Sequence, residues 1–482
     1  MEPGRTCWRV ATATRFSALM ENDAYFKALR SSIEQARQSI VILGWQFDPR
    51  TRLDIDGGVS DRQDEVGHLL RLAIKENPDL DVRLLLWSSP LMIAASQGFF
   101  PQRAQRWFRK RIADFRLDQP GPIGACHHQK VVVIDDQVAF TGGGDISTDR
   151  WDSEEHLDDD PRRCKPSGLI APPRHEVMCV LEGPAAMALG DLARDRWLRA
   201  TGEETCPVEA DGSPWPEGVE ADLVDTPVCV ARTEPATRGR PLIRENLDLH
   251  VEAIRRAKRL IYLENQYVTS PHLADVLAER LAEPDGPEIV VVSTAHSPSW
   301  FDQLTMDTAR AEVLFQLEAA DHNNRLWAFA PLTEGGDRII VHSKVTVIDD
   351  VFLRIGSTNL NNRSFGLDTE CDVAATPPDA AGQAFVRRFR HRLIGHFLGV
   401  DAEAYEAAEA VSGSVGRAIT TFGEGRMRAL GMTPPTGFQR WVAEYQIGDP
   451  QGSADSFRPW RRRRRWRDRP QALISKSTTS GR

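Results

Sequence analysis

The stretch His128-Gln129-Lys130-Val131-Val132-Val133-Ile134-Asp135 occurs a second time, as His342-Ser343-Lys344-Val345-Thr346-Val347-Ile348-Asp349. Each copy is followed at the same spacing by a turn of small residues, Gly142-Gly143-Gly144-Asp145 in the first and Gly356-Ser357-Thr358-Asn359 in the second. An internal repeat determines the architecture of a chain before any helix or strand is placed. We therefore interpret the chain as two related halves.

The repeat extends beyond the two motifs, because each half shows the same succession of predicted elements. A helix runs into a strand, and then a second helix, a turn with proline and an apolar strand follow. The matched segments are 33–40 and 254–261 for the first helix and strand, 65–75 and 273–281 for the second helix, and 82–87 and 289–292 for the apolar strand. Strands that alternate with helices are typical of an α/β fold. We expect two repeated domains, each a mixed sheet flanked by helices, packed about a pseudo-twofold axis.

The domain boundaries follow from the repeat and from composition. Residues 201–240 are rich in proline, glycine and acidic residues and lack periodicity, which indicates a linker. The predicted order is a first repeat at 1–200, a linker at 201–240, a second repeat at 241–400, a helical carboxy-terminal extension at 401–457 and a disordered basic tail at 458–482.

The composition is that of an ordinary soluble globular protein, since 41% of the 482 residues are hydrophobic and 27% are charged. The seven cysteines form no close-spaced cluster, which argues against a disulfide framework or a zinc site. No run approaches the roughly 18 apolar residues of a spanning helix, and the first residues lack a signal-peptide pattern. We expect a monomeric cytoplasmic protein that associates with a membrane, if at all, at its periphery.

The formal net charge of -9 conceals an asymmetry. Residues 458–482 contain ten Lys or Arg and one acidic residue, Asp468, so that residues 1–457 carry a net charge of -18. Five consecutive arginines, 461–465, lie between Trp460 and Trp466 and could bind an anionic membrane surface. The alternatives are a solvated disordered tail and a tail that binds nucleic acid without specificity.

The repeated motif carries groups suited to phosphoryl chemistry. His128 and Lys130 lie two residues apart beside a run that favours a strand, so their side chains leave the same face, and His342 and Lys344 repeat this arrangement. Two imidazoles and two ammonium groups that meet between the halves suit a phosphodiester. One imidazole attacks phosphorus to form a phosphohistidine, and the other, protonated, donates its proton to the departing alcohol. Water activated by the second imidazole then releases the product.

This chemistry needs neither a metal nor another cofactor. With ordinary imidazole pKa values of about 6.5, one ring can be neutral and the other cationic near neutral pH. The predicted catalytic set consists of the polar residues of both motifs, His128, Lys130, Asp135, His342, Lys344 and Asp349. An extended run puts Asp135 about 23 Å from His128, at roughly 3.3 Å per residue. Within the set we therefore expect the two aspartates to tie down the ends of the hairpins.

The phosphoryl oxygens need partners of their own. Lys130, Lys344 and Asn359 are the predicted substrate-binding residues, and the Ser357 hydroxyl is a further donor. A single His-x-Lys on a strand would be typical of a solvated face. Two copies with matched spacing of His, Lys, Asp and a following turn favour a site.

With two His-x-Lys-x4-Asp motifs, the chain resembles the phospholipase D superfamily. Asp149-Arg150-Trp151-Asp152 with Glu155-His156 is similar to the first half of its eukaryotic-type members, and Glu264-Asn265-Gln266-Tyr267 is similar to their second half. The resemblance implies cleavage of the ester between phosphate and head group in glycerophospholipids, typically phosphatidylcholine, to give phosphatidic acid and a free alcohol. It also implies transfer of the phosphatidyl group to primary alcohols.

The resemblance further implies individual roles. His128 would be the nucleophile and His342 the acid. Glu370 matches the carboxylate that orients the second histidine, and Glu176, where the family has Asp, would orient the first. The supporting set is then Asp145, Glu176, Ser357, Asn359 and Glu370.

Three other functions stay open. A phosphodiesterase or nuclease of the same superfamily is one, although the acidic body would repel a polyanion. A cardiolipin synthase-like phosphatidyltransferase is the second, although such relatives usually carry amino-terminal membrane spans that this sequence does not show. The third is an inactive lipid-binding scaffold, which predicts decay in at least one motif, whereas both motifs are intact. Our prediction is a phospholipid as the substrate partner and no nucleic acid partner.

Overall fold

The structure is a computed structural model that describes residues 1–55, 63–88, 100–108, 113–119, 121–209, 211–423, 425–431 and 437–452. The strands of this part, β1 to β18 in chain order, are Arg9–Met20, Ser39–Gly44, Asp81–Trp87, Asp114–Asp118, Val131–Ile134, Val138–Gly142, Arg174–His175, Val177–Glu182, Leu223–Glu234, Ile243–Arg244, Leu260–Asn265, Glu288–Val292, Leu326–Pro331, Ile340–Val341, Lys344–Ile348, Phe352–Gly356, Glu370–Ala375 and Met427–Ala429. The α-helices are Glu21–Gln35, Val66–Glu76, Phe100–Phe108, Pro184–Thr201, Glu245–Arg256, Pro271–Ala282, Trp300–Asp302, Thr308–Ala320, Ala380–Leu398, Ala402–Ser412, Val415–Thr421 and Gly437–Glu444.

All of these strands except β7 and β14 belong to one mixed sheet. From edge to edge its order is β4-β3-β2-β5-β6-β8-β1-β9-β17-β16-β15-β11-β12-β13-β18, and β10 pairs with β9. Outward from the antiparallel β1–β9 pair, each arm has antiparallel strands first and three parallel strands beyond them, β2-β3-β4 on one side and β11-β12-β13 on the other. The α/β fold class, a large mixed sheet flanked by helices, is confirmed. The pseudo-twofold axis stays a prediction.

The apolar runs of the two motifs form β5 and β15, and successive residues of a strand point to opposite faces. Val131 and Val133 of β5 pack in the same core as Val345 and Val347 of β15. This core also contains apolar residues of the helices Pro184–Thr201 and Ala380–Leu398. One apolar layer therefore extends across both halves, and each fully buried aliphatic side chain in it contributes about 1.5–3 kcal/mol.

Residues 201–240, predicted as a linker without periodicity, contain the central strand β9. β9 pairs with β1 on one side and with β17 on the other. Its residues 228–231 are all fully buried. The buried second half of the strand shows no polar and apolar alternation, and the first half contains Pro227, so the sequence pattern does not indicate a strand here. The domain boundaries themselves stay a prediction.

The carboxy-terminal extension contains three of the helices, Ala402–Ser412, Val415–Thr421 and Gly437–Glu444. It also supplies β18, which lengthens the sheet beside β13. The basic tail at 458–482 lies outside the described residues. Among the described helices, none combines the length and the apolar character that crossing a membrane requires.

The motif aspartates hold backbone rather than substrate. The Asp135 carboxylate accepts hydrogen bonds from the backbone N–H groups of Arg37, Gln38 and Ser39 at 2.7–2.8 Å. Asp349 accepts from the backbone N–H groups of residues 258–260 at the same distances. Both aspartates have φ near +53°, which a hairpin corner requires. Their place in the predicted catalytic set is therefore wrong, because their oxygens are already engaged, and the expected hairpin-anchoring role fits these contacts.

We expect Asp135→Ala to destabilise the fold and leave the chemistry intact. Three backbone donors lose a charged acceptor, which costs about 3 kcal/mol. Urea unfolding followed by circular dichroism measures this loss, and kcat of the folded variant should stay within about twofold of the wild type. The control is Asp79→Ala, an exposed aspartate, which should change stability by less than about 0.5 kcal/mol. A large fall in kcat without loss of stability would return Asp135 to the catalytic set.

Candidate active site

Backbone contacts cross between the two halves at both motifs. β7 pairs in parallel with β14, and the His342 N–H donates to the carbonyl oxygen of His175 at 2.8 Å. The His128 N–H donates to the carbonyl oxygen of Thr369 at 3.0 Å. Both motif histidines lie just before their strands, β5 and β15, and line one cavity of about 690 Å³. The two imidazoles, predicted from the repeat to share a site, therefore meet in one cavity.

Each imidazole is held by a carboxylate of the other half. His128 Nδ1 lies 3.0 Å from Glu370 Oε2 and 3.1 Å from the carbonyl oxygen of Ser357. His342 Nδ1 lies 2.8 Å from Glu176 Oε1. Because a carbonyl oxygen only accepts, His128 carries its proton on Nδ1 and has a lone pair on Nε2. In both rings Nε2 is the nitrogen left for substrate.

This pairing corrects the predicted roles of the two glutamates. The family resemblance assigned Glu370 to the second histidine and Glu176 to the first, whereas Glu370 holds His128 and Glu176 holds His342. The reason is topological. The β7–β14 pair carries Glu176 to the second motif, and the contact of His128 with Thr369 brings the first motif beside Glu370.

A glycine permits the approach of the second motif to the first turn. A Cβ atom on Gly143 would lie 2.8 Å from the carbonyl oxygen of His342 and 2.9 Å from Glu176 Oε2. Real Cβ atoms do not approach other atoms this closely. The Gly-rich turn therefore makes room for the His342–Glu176 pair.

The two motif lysines have different surroundings. Lys130 Nζ lies 3.1 Å from Asp145 Oδ2 and donates to the carbonyl oxygen of its own His128. Lys344 Nζ donates to the carbonyl oxygen of His342 at 2.5 Å. The second turn has Asn359 at the position that Asp145 occupies in the first. Burial lowers the pKa of Lys344 to about 7. Both ammonium groups are buried, and each is tied to the backbone of its motif histidine.

Arginines that the motif did not predict line the cavity itself. Arg150 and Arg174 both contribute to its wall, and both are largely buried. The buried Nε of Arg174 has no hydrogen-bond partner among the described residues, and burial lowers the pKa of the guanidinium to about 10. A buried guanidinium in the wall with an unpartnered N–H is suited to a phosphoryl oxygen. Its sequence signal was its place directly before His175 and Glu176.

The supporting residues divide into two groups. Asp145 and Asn359 line the cavity, and Asn359 Oδ1 is buried without a hydrogen-bond partner among the described residues. Ser357 donates from Oγ to Glu370 Oε2 at 2.5 Å. The Ser357 hydroxyl was predicted to bind a phosphoryl oxygen, but it orients the carboxylate that holds His128.

Aromatic side chains form a further part of the wall. The rings of Trp45 and Trp87 stack with centroids 5.7 Å apart, and Trp45 meets the edge of His128 at 6.5 Å. At the rim, Ile123 is 72% exposed and Phe301 is 45% exposed. The cavity therefore joins a cationic, polar interior to an apolar edge.

Known proteins are similar to this chain in sequence and in fold. Residues 250–393 match the family model described as cardiolipin synthase, PLD-like domain. The chain is 23% identical to Phospholipase D alpha 4 of Arabidopsis thaliana, over 82% of this chain and 66% of that protein. It is 24% identical to Cardiolipin synthase A of Pseudomonas putida (strain W619), over 76% of this chain and 66% of that protein. The solved structure of phosphatidylserine synthase from Haemophilus influenzae Rd KW20 superposes with a TM-score of 0.56 and 13% identity, over 80% of this chain and 88% of that chain.

The chain belongs to the phospholipase D superfamily. Enzymes of this superfamily are hydrolases or transferases. The chain spans about two thirds of the length of the Arabidopsis and Pseudomonas relatives, and 35% of Phospholipase D A of Dictyostelium discoideum. Superfamily membership therefore applies to most of this chain, and its particular activity is a proposal.

Burial controls the protonation of this superfamily site. It lowers the pKa of His128 well below its ordinary value, and the positive charges of Lys130 and Lys344 lower it further. Burial, Lys344 and Arg150 do the same for His342. The surroundings of both rings therefore favour the neutral imidazole in the free protein. The expectation of one cationic ring used ordinary pKa values, whereas burial and the neighbouring cations lower the pKa of both imidazoles.

We expect kcat/KM to fall as the pH rises above neutrality. The proton of the general acid is already scarce at pH 7, because the imidazole pKa values are lowered, and Lys344, with a pKa of about 7, loses its charge over the same range. A pH profile of kcat/KM from 5 to 9 measures the alkaline limb. Asn359→Asp copies the Asp145–Lys130 arrangement and should move that limb to higher pH by stabilising charged Lys344. A flat or rising profile above pH 7 would contradict this protonation scheme.

Proposed function

We propose that this chain is a phospholipase D that hydrolyses the ester between phosphate and head group of glycerophospholipids, phosphatidylcholine first. The products are phosphatidic acid and the free alcohol. The proposal depends mainly on one observation, that two imidazoles line one cavity and each is held at Nδ1 by a carboxylate of the other half. This arrangement supplies a nucleophile and an acid to one phosphorus atom.

In the first step, His128 Nε2 attacks phosphorus, and the bond from phosphorus to the head-group oxygen breaks. His342, protonated once the phosphodiester anion has entered, donates its proton to that oxygen. The Glu176 carboxylate stabilises the imidazolium of His342 while it holds the proton. The P–N bond of a phosphohistidine is then present at His128.

In the second step, neutral His342 takes a proton from water, the hydroxyl oxygen bonds to phosphorus, and the P–N bond breaks. A primary alcohol in place of water gives transfer instead of hydrolysis. Arg174 and the buried lysines stabilise the charge on the phosphoryl oxygens in both steps. All atoms that react in these two steps belong to the chain, the lipid and the acceptor.

The cavity wall supports a choline head group. Trp45, Trp87 and Tyr267 contribute aromatic surface to it, and Asp302 contributes a carboxylate. A quaternary ammonium ion is attracted to aromatic faces and to negative charge. The exposed Ile123 and Phe301 at the rim suit the acyl chains of a lipid better than the sugar-phosphate backbone of a nucleic acid.

Phosphatidyl transfer of the cardiolipin synthase type is the second candidate. It is favoured by the family model matched at residues 250–393 and by the Pseudomonas relative. In this reaction the hydroxyl of a glycerol head group replaces water in the second step. The same phosphohistidine would serve both reactions, so the acceptor decides between them.

Product analysis separates these candidates. The purified chain is incubated with mixed vesicles of phosphatidylcholine, phosphatidylethanolamine and phosphatidylglycerol, with and without ethanol, and lipids are identified by mass spectrometry. We expect free choline and phosphatidic acid, and phosphatidylethanol when ethanol is present. Cardiolipin as the main product would favour the transferase. Nicking of plasmid DNA without any lipid product would overturn both lipid activities.

A further inference from the structure

A second cluster of histidines lies apart from the cavity. Glu21, His156, His175 and His396 each offer one ligand atom, and these atoms all lie within 4.8 Å of one another. The four side chains are at most 4% exposed. Among the described residues, this is the group of histidine, cysteine and acidic side chains with the geometry of a metal site.

The outward nitrogen of each imidazole has an acceptor. His156 Nδ1 lies 2.9 Å from Asp152 Oδ2, and His175 Nε2 lies 2.9 Å from Glu264 Oε2. His396 Nδ1 lies 3.3 Å from the carbonyl oxygen of Arg392. These outer contacts leave the second nitrogen of each ring directed inward, where it can donate to Glu21 when protonated or bind a metal ion when it is not.

The inward atoms converge on Glu21. Its Oε1 lies 3.3 Å from His156 Nε2 and 3.6 Å from His396 Nε2, and it also contacts His175 Nδ1. Neither of the first two nitrogens makes a hydrogen bond to the described residues. A carboxylate oxygen and three imidazole nitrogens that converge on one buried point need positive charge between them, carried either by protons on the rings or by a metal ion. Glu21 also has φ of 66°, a strained conformation for a residue with a side chain.

We propose that Glu21, His156, His175 and His396 bind one Zn²⁺ ion as a closed structural site. Three imidazoles and one carboxylate are typical zinc ligands, whereas Mg²⁺ and Ca²⁺ prefer oxygen alone. With metal–ligand bonds of about 2.0–2.1 Å, the edges of a tetrahedron are about 3.3 Å, close to the distances from Glu21 to His156 and His396. A zinc-bound histidine usually hydrogen-bonds through its other ring nitrogen to a carboxylate or carbonyl, as His156 does to Asp152 and His175 to Glu264.

The site would join distant parts of the chain. Glu21 begins the helix Glu21–Gln35, and His396 lies near the end of the helix Ala380–Leu398 in the second half. Glu21 Oε2 accepts from the backbone N–H of Glu176 at 3.1 Å, and Glu176 holds His342. The ion would therefore fix the carboxylate that orients the second motif histidine. The ion takes no part in the reaction. Cysteine spacing, which argued against zinc, does not report on a site made of histidines.

Metal analysis of the full chain tests this inference without any activity assay. Elemental mass spectrometry of the chain, purified without a histidine tag, should find about one zinc ion per molecule. After chelation, one equivalent of Co²⁺ should produce the intense visible absorption of a tetrahedral centre. His156→Ala and His396→Ala should weaken Zn²⁺ binding at least tenfold, and the exposed His322→Ala should bind zinc as the wild type does.

Thermal unfolding shows whether each variant folds. Zn²⁺ should raise the Tm of the chelated wild type and of His322→Ala, and leave the Tm of the two ligand variants unchanged. A folded wild type that binds neither Zn²⁺ nor Co²⁺ at one equivalent would overturn the inference and leave protons as the bridging cations. Undiminished zinc binding in both ligand variants would overturn it as well. Neither result bears on the proposed lipid chemistry.

Discussion

His342→Ala is expected to stop lipid turnover while still allowing one phosphoryl transfer to His128. Removing the acid and base costs at least about 10³-fold in kcat on phosphatidylcholine, since general acid–base catalysis contributes roughly 10²–10⁴-fold to each step it serves. A phosphodiester with p-nitrophenol as the leaving group needs no proton on departure. With this substrate the variant should release one equivalent of p-nitrophenolate and then stall, because water is not activated to break the P–N bond.

His128→Ala is the matched experiment, and it should show neither burst nor turnover. Stopped-flow absorbance gives the burst, and intact-protein mass spectrometry gives the covalent adduct. The exposed His322→Ala should retain the wild-type burst and turnover. A burst in His128→Ala instead of His342→Ala would reverse the two roles. Steady turnover in either variant would contradict the paired mechanism.

Glu370→Gln and Glu176→Gln are expected to have opposite effects on the two steps. Glu370 lies 3.0 Å from His128 Nδ1, so its loss should slow formation of the phosphohistidine by about a hundredfold or more. Glu176 lies 2.8 Å from His342 Nδ1. Its loss should spare the p-nitrophenolate burst and slow hydrolysis of phosphatidylcholine by a similar factor.

Burst rate and steady-state kcat, measured on the same two substrates, separate the two effects. The opposite pattern, with Glu176→Gln abolishing the burst, would mean that each carboxylate serves the histidine of its own half. Equal losses in both variants on both substrates would indicate damage to the fold, which circular dichroism detects. Ser357→Ala, which removes the hydroxyl that donates to Glu370, should reproduce the Glu370→Gln effect in weaker form.

The two motifs were readable in the sequence because they are local. His128 and Lys130, and their copies in the second half, lie two residues apart, and the apolar runs beside them are β5 and β15. The distance along the chain also sufficed to separate Asp135 from the chemistry. The strand β9 was missed because its second half, buried on both faces, lacks the alternation that marks a strand, and its first half contains Pro227.

The repeat, the strands that carry the two motifs and the presence of two matched imidazoles are properties of neighbouring residues, and the sequence by itself determined them. The tertiary structure decided the pairing of Glu370 with His128 and the place of the Arg174 guanidinium in the cavity wall. It also decided the convergence of His156, His175 and His396 on Glu21. These contacts join residues that are far apart in the chain. Burial shifts pKa values in the same way, since it depends on which groups the fold brings together and removes from water.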